Sequence, residues 1–225
     1  MAPFTNEPIK LKRIFLTVGT TSFDSLIRVV DTQEFLDVII KCGCDTLVLQ
    51  IGRGVYQPTF LTSKMLLEQY KISFECFRFK PSLSKEMESA DLIISHGGAG
   101  SILEAITLHK LLIVVVNDTL QENHQVELAN AMTSRNHCFQ ALPNSLLDPM
   151  NDIVQRLSKI QIHSDKNKNK DTDSSSSALN LDLVSDGGKQ LKLLQSLHLE
   201  PYPEANLNAF PSVVDSMFNW CDNKD

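Results

Sequence analysis

Two glycine-bearing segments carry the residue types best suited to holding an anion. Val18-Gly19-Thr20-Thr21-Ser22 follows a β-branched run and precedes a helical pattern. A glycine permits a sharp turn there, and hydroxyls beside the free N–H groups of a helix start suit a phosphate or diphosphate. A plain turn capped by Thr or Ser presents the same residues, so this segment alone decides nothing. It lacks the Gly-x-Gly-x-x-Gly spacing, which removes the main support for NAD-type dinucleotide binding.

The second segment is Ser95-His96-Gly97-Gly98-Ala99-Gly100-Ser101, again between an apolar run and a helical pattern. Its clustered glycines let a ligand approach the backbone closely, and the following helix directs its positive end at that spot. Dipole and N–H groups together can hold a diphosphate without a metal. Glu104 follows on the expected first helical turn, either as the capping-box partner of Ser101 or as an acceptor for two vicinal ribose hydroxyls. A third stretch, Asn117 to Asn123, leads into His124 and Gln125. Its amides can donate to and accept from sugar hydroxyls, or simply cap a helix. These loops carry no Asp-x-Asp for Mg²⁺, and six histidines scattered singly predict no metal site.

Such loops need strands and helices to hold them. Strands are expected over Arg13–Val18, Thr46–Ile51, Ile72–Phe79, Leu92–Ser95, Leu112–Val116 and, more weakly, His137–Ala141. The runs Leu92-Ile93-Ile94 and Leu112 to Val116 are apolar throughout rather than alternating, as strands buried on both faces of a parallel sheet are. Between the strands, helical patterns run from Phe23 to Ile40, over Ser101–His109 and over Glu122–Arg135. Strand–helix–strand repetition predicts an α/β fold with a doubly wound, mainly parallel, Rossmann-like sheet. Residues 161–185 break the pattern: Lys166 to Lys170 and Ser174 to Ser177 are polar low-complexity sequence, expected as a flexible insertion. Helical periodicity returns over Lys189–Leu199 and Asn208–Cys221, where Phe210, Val213, Val214, Met217 and Phe218 form one apolar stripe. That stripe suits packing on the domain, docking of a partner, or both.

Composition narrows the class. With 225 residues and a net charge of −6, the chain can bury one sizeable core but offers no broad basic footprint for nucleic acid. Five cysteines lack metal or disulfide spacing, which reads as a reduced, cytoplasmic protein. Met1 to Lys10 shows no apolar stretch, so no signal peptide is expected. The longest purely apolar run, Leu111 to Val116, is six residues, against about 20 needed to span a bilayer.

His96-Gly97-Gly98-Ala99-Gly100-Ser101 with Glu104 resembles the donor-binding box of GT-B glycosyltransferases. Together with Leu112 to Asn117, Asn123-His124-Gln125, and Phe15 to Thr21 with Phe23-Asp24, the chain resembles one family more narrowly. Its members are catalytic subunits that transfer a second N-acetylglucosamine (GlcNAc) from UDP-GlcNAc to GlcNAc-diphospho-dolichol. The resemblance spans about residues 12 to 160 and departs at His109-Lys110-Leu111, where the family has Gly or Asn, then Lys-Pro.

It implies a UDP-sugar-binding α/β domain over 1–160, the C-terminal half of a GT-B enzyme, followed by the insertion and by helices over 186–225. It implies that His96 and the N–H groups of Gly97 to Ser101 hold the UDP diphosphate and that Glu104 binds the ribose. Asn123 and Gln125 would bind the GlcNAc hydroxyls, with Gly19, Thr20 and Thr21 lining the cleft toward the acceptor. UDP-GlcNAc is a substrate, and no cofactor is implied. The general base has no assignment beyond His96 as a candidate. A membrane-anchored, acceptor-binding partner subunit is implied, with recruitment to the cytosolic face of the endoplasmic reticulum for protein N-glycosylation. A stand-alone transferase with a soluble acceptor and a non-catalytic nucleotide-sugar-binding subunit remain open beside this reading.

Overall fold

The computed structural model describes residues 9–63, 68–117, 124–166 and 186–203. Six strands, β1 (Arg13–Thr17), β2 (Thr46–Gln50), β3 (Ser73–Phe77), β4 (Leu92–His96), β5 (Leu111–Val115) and β6 (Phe139–Ala141), form one sheet in the order β3-β2-β1-β4-β5-β6. Every adjacent pair is parallel. Thr17 stands level with both Gln50 and Ser95, and His96 with Val115. The carboxyl ends of β1, β2, β4 and β5 therefore open onto one rim.

Apolar runs on both faces explain this architecture. Ile14 and Leu16 point into one core and Phe15 into the other; Leu92 and Ile94 are likewise split from Ile93. The first core is closed by α1 (Asp24–Val30), α2 (Gln33–Cys42), α6 (Leu147–Lys166) and α7 (Asp186–Ser196). The second is closed by α3 (Ser84–Ser89), α4 (Ala99–Thr107) and α5 (His124–Ser134). A sheet covered on both faces in this order is the doubly wound α/β fold, whose order reverses between β1 and β4.

Three elements differ from the sequence reading. The Phe23–Ile40 pattern is two helices, because Thr32 Oγ1 accepts from Phe35 N (3.3 Å) to cap α2. Asp31, just before it, is committed to a distant loop and accepts from Tyr56 Oη, Thr59 N and Leu61 N at 2.7 to 2.8 Å. The helix after the second glycine segment starts at Ala99 rather than Ser101, since Gly98 serves as its N-cap and its carbonyl accepts from Ile102 N (3.1 Å). Helix α6 runs on to Lys166, past the expected start of the polar insertion. Residues 167–185, Asn123 and the Asn208–Cys221 pattern lie outside the described residues.

The expected helix over Lys189–Leu199 is α7 and the turn after it. Leu193, Leu194, Leu197 and Leu199 are buried in the first core, and Arg156 Nη1 donates to the Leu197 carbonyl (2.8 Å). At the family departure, His109 takes φ 52°, a left-handed position that Gly or Asn occupies at low cost and His tolerates. Among the described residues no helix is long and apolar enough to cross a membrane. Burial pushes the Cys42 and Cys44 thiols up to about 12, so both act as small buried hydrophobes.

Candidate functional site

The two glycine segments meet where the strand order reverses. Gly19 leaves β1 with φ 59°, and a Cβ there would stand 2.6 Å from His96 Cε1. A Cβ on Gly98 would press on the same ring, 2.8 Å from that carbon. The His96 imidazole thus packs against two glycine backbones and is only 7% exposed. Burial pulls its pKa below the ordinary 6.5, and the nearby Thr17 carbonyl offsets this only partly. Nδ1 has no formed hydrogen bond. The ring is therefore a neutral wedge joining the loops at physiological pH.

The second segment turns outward only from Ala99 on. Gly97 is buried under Gln125: a Cβ would lie 2.9 Å from the Gln125 Cβ and 3.2 Å from Oε1. Ala99 and Gly100 are exposed, and a Cβ on Gly100 meets nothing within 4 Å. Among the described residues, the N–H groups of Ala99, Gly100 and Ser101 find no acceptor, and the first turn of α4 has neither a side-chain cap nor an acidic residue. Three free donors and an uncompensated dipole end favour an anion at this point. Because the helix begins at Ala99, Ser101 is its third residue and Glu104 lies in the second turn. The capping-box alternative for that pair is excluded, and the half-buried Glu104 is left available for a ligand.

In the first segment the donors of Gly19 and Thr21 turn inward: Gly19 N bonds Thr17 Oγ1 (2.9 Å), and Thr21 N and Oγ1 both turn back to the Val18 carbonyl. Helix α1 starts later, at Asp24, with Phe23 as an N-cap making no side-chain bond. The segment offers a glycine surface to His96 and leaves Thr20 exposed on the rim.

Residues outside the expected set brace it. Thr17 Oγ1 donates to Gln50 Oε1 (2.5 Å), and Gln50 Nε2 donates to the Arg78 carbonyl (3.3 Å). Arg78 Nη1 donates to the carbonyls of Gly52 (3.0 Å) and Gly54 (2.7 Å), and Arg53 N donates to the Thr21 carbonyl (2.9 Å). The usable sequence signal was Gly52-Arg53-Gly54, a third glycine-rich turn at a strand's carboxyl end. Of the expected residues, the structure brings Gly19, His96, Gly97, Gly98 and Gln125 into one cluster, with Ala99, Gly100, Ser101 and Glu104 leading away from it along α4. No group of three or more potential metal ligands occurs among the described residues.

This is the α/β fold of a GT-B-like glycosyltransferase half, and the chain belongs to the glycosyltransferase family 28 C-terminal domain family, whose model matches residues 13–179. Among curated relatives it is similar to the human UDP-N-acetylglucosamine transferase subunit ALG13, at 45% identity over 130 residues, 57% of this chain and 11% of that protein. It is 30% identical over 162 residues to the Saccharomyces cerevisiae protein of the same name, covering 60% of this chain and 80% of that one. The chain spans only 11% and 10% of the length of the human and mouse relatives it matches. A solution structure of ALG13 shares the fold, with a TM-score of 0.52 at 21% identity over 93% of this chain and 98% of that one.

Proposed function

We propose that this chain is the donor-binding, catalytic subunit of a transferase that moves GlcNAc from UDP-GlcNAc to GlcNAc-diphospho-dolichol, forming a β-1,4 linkage with inversion. The observation that carries this reading is the uncapped start of α4 beside the His96 wedge, at the switch point of a family 28 domain. The UDP diphosphate rests on the N–H groups of Ala99, Gly100 and Ser101. His96 sets the distance between the two loops and turns its remaining exposed edge to the phosphates. Glu104 accepts from the ribose hydroxyls, and Gln125, with Asn123, accepts from and donates to the sugar hydroxyls.

As the anomeric bond breaks, negative charge collects on the leaving UDP. Fixed N–H donors stabilise that charge without reorganising, each at a typical value of about 3 kcal/mol in the barrier. The acceptor hydroxyl needs a base, and a buried imidazole packed against Gly19 and Gly98 is poorly placed to reach it. We therefore assign the base and the acceptor site to a membrane-anchored partner subunit that brings the chain to the cytosolic face of the endoplasmic reticulum. The names of the relatives, transferase subunits, support a heteromeric enzyme.

Titration of the full chain with UDP-GlcNAc, followed by amide NMR, tests the donor site. Shifts concentrated at His96 to Glu104 and at Gln125 are expected, and their absence at saturating ligand sinks the reading. Transfer to a GlcNAc-diphospho-lipid should appear only when a membrane extract supplies the partner.

A further inference from the structure

Arg78, the residue that follows β3, reaches the first glycine segment by two separate arms. The first starts at its carbonyl, which accepts from Gln50 Nε2 (3.3 Å). Gln50 Oε1 accepts from Thr17 Oγ1 (2.5 Å), which in turn accepts from Gly19 N (2.9 Å). The second starts at the guanidinium. A single nitrogen, Nη1, donates to the carbonyls of Gly52 (3.0 Å) and Gly54 (2.7 Å), and Arg53 N between them donates to the Thr21 carbonyl (2.9 Å). The two arms close on residues 17–21 from either end, with Gly19 inside.

The packing along the second arm leaves no slack. Gly52 has φ 53°, and a Cβ on it would overlap the Thr21 carbonyl oxygen and stand 2.9 Å from that of Gly19. Gly19 lies so close to His96 that a Cβ there would stand 2.6 Å from Cε1. Backbone thus rests on backbone from Gly52 to Gly19, and Gly19 rests on the ring. Asp24 walls the far side of the 52–54 turn: Oδ2 accepts from Val55 N (3.1 Å), and a Cβ on Gly54 would overlap Oδ1. Gly52 and Gly54 are both buried, so removing the guanidinium leaves their carbonyls short of a donor. The turn then has to move to hydrate them, and close-packed neighbours pass such a movement on.

We propose that Arg78 is a positioning residue of the donor site: it fixes the first glycine segment against the His96 ring and so sets the spacing of the two loops that the diphosphate enters. This role rests on the donor-site reading above and places the residue that holds the site's geometry outside the crevice. Arginine suits it, because a rigid guanidinium holds one N–H group between two carbonyls at a fixed reach, which a shorter ammonium does less well.

The test joins NMR of the ligand-free full chain to UDP-GlcNAc titration, for the wild type, Arg78→Gln and Arg78→Lys. In ligand-free Arg78→Gln the His96 Cε1–H and Gly19 amide resonances should move, while the amides of α7 stay in place. UDP-GlcNAc should bind that protein about tenfold more weakly. Arg78→Lys should move both readouts in the same direction and by less, and it carries the test if Arg78→Gln does not fold. Leu197→Ala, which loosens the opposite side of the fold, should leave both readouts at their wild-type values. A folded Arg78 variant with an unmoved His96 signal overturns the proposal, and so does a moved signal with wild-type affinity. Equal changes in Leu197→Ala overturn it as well, since general loss of stability would then explain them. A wild-type chain that binds no UDP-GlcNAc overturns the donor reading and this role with it. A wild-type chain that binds, beside Arg78 variants that bind equally well, overturns this role alone.

Discussion

A methyl group added at Gly98 and one added at Gly100 meet opposite surroundings. At Gly98 it presses into the His96 ring; at Gly100 it meets open space. Alanine is favoured over glycine inside a helix by about 0.5–1 kcal/mol. Gly100→Ala should therefore raise the urea midpoint slightly while weakening UDP-GlcNAc binding at least about tenfold, because the methyl occupies ligand space over free N–H groups. Unchanged binding would remove Gly100 from the ligand surface. His96 makes its own prediction. Its folded pKa lies below 6.5, so as pH falls from 6.5 through the lowered value the unfolded chain takes up the proton first. This contribution to stability is present above 6.5 and is lost across that window. Unfolding midpoints measured from neutral pH down to about 5 should slope downward, and His96→Gln should remove part of the slope.

At the scale of elements, the break between α1 and α2 is the most consequential detail. Asp31 gathers Tyr56, Thr59 and Leu61 and thereby fixes the loop after β2. Asp31→Ala strands buried N–H groups and should cost roughly 2–4 kcal/mol in urea unfolding, whereas Thr32→Ala removes only a cap worth about 1 kcal/mol. Equal costs would mean that the loop holds itself. The role of Asp31 was not legible in the sequence, because its partners lie in a distant loop. The break itself left a trace, since Leu26, Ile27 and Val30 of α1 and Phe35, Leu36, Val38, Ile39 and Cys42 of α2 do not fall on one continuous helical stripe. The strands were legible, since Leu92 to Ile94 and Leu112 to Val115 are apolar on both faces and only a covered parallel sheet accommodates that. The short helix Ser84–Ser89 buries only Glu86 and Met87 and leaves no periodic signal. The second glycine segment was legible by composition, but the His96 wedge was not: its contact with Gly19 depends on β1 lying beside β4, and periodicity does not reveal strand order. Gln50 and Arg78 act on backbone carbonyls of remote loops, which no local spacing announces.

Across the whole molecule, the family match ends at residue 179, yet the core does not. Leu193, Leu194, Leu197 and Leu199 lie within the cluster that covers the α1–α2 face of the sheet, and Arg156 ties the Leu197 carbonyl to α6. Gln190, also buried, reaches toward Asp91 (3.4 Å), which precedes β4 at the amino end of the sheet, away from the glycine rim. Residues 186–203 thus complete the fold from the side opposite the ligand crevice. Leu197→Ala should cost about 2–5 kcal/mol, as for other fully buried leucines, because the surrounding helices relax only partly into the cavity. The exposed Lys192→Ala change on the same helix should stay within about 0.5 kcal/mol. Donor titration of the folded Leu197→Ala protein should match the wild type, since α7 is tied to Asp91 at the amino end of the sheet, away from the glycine segments. A Leu197→Ala midpoint as mild as that of Lys192→Ala would mean that the segment beyond the family match is an appendage; a deep loss with intact titration makes it the wall that closes the core.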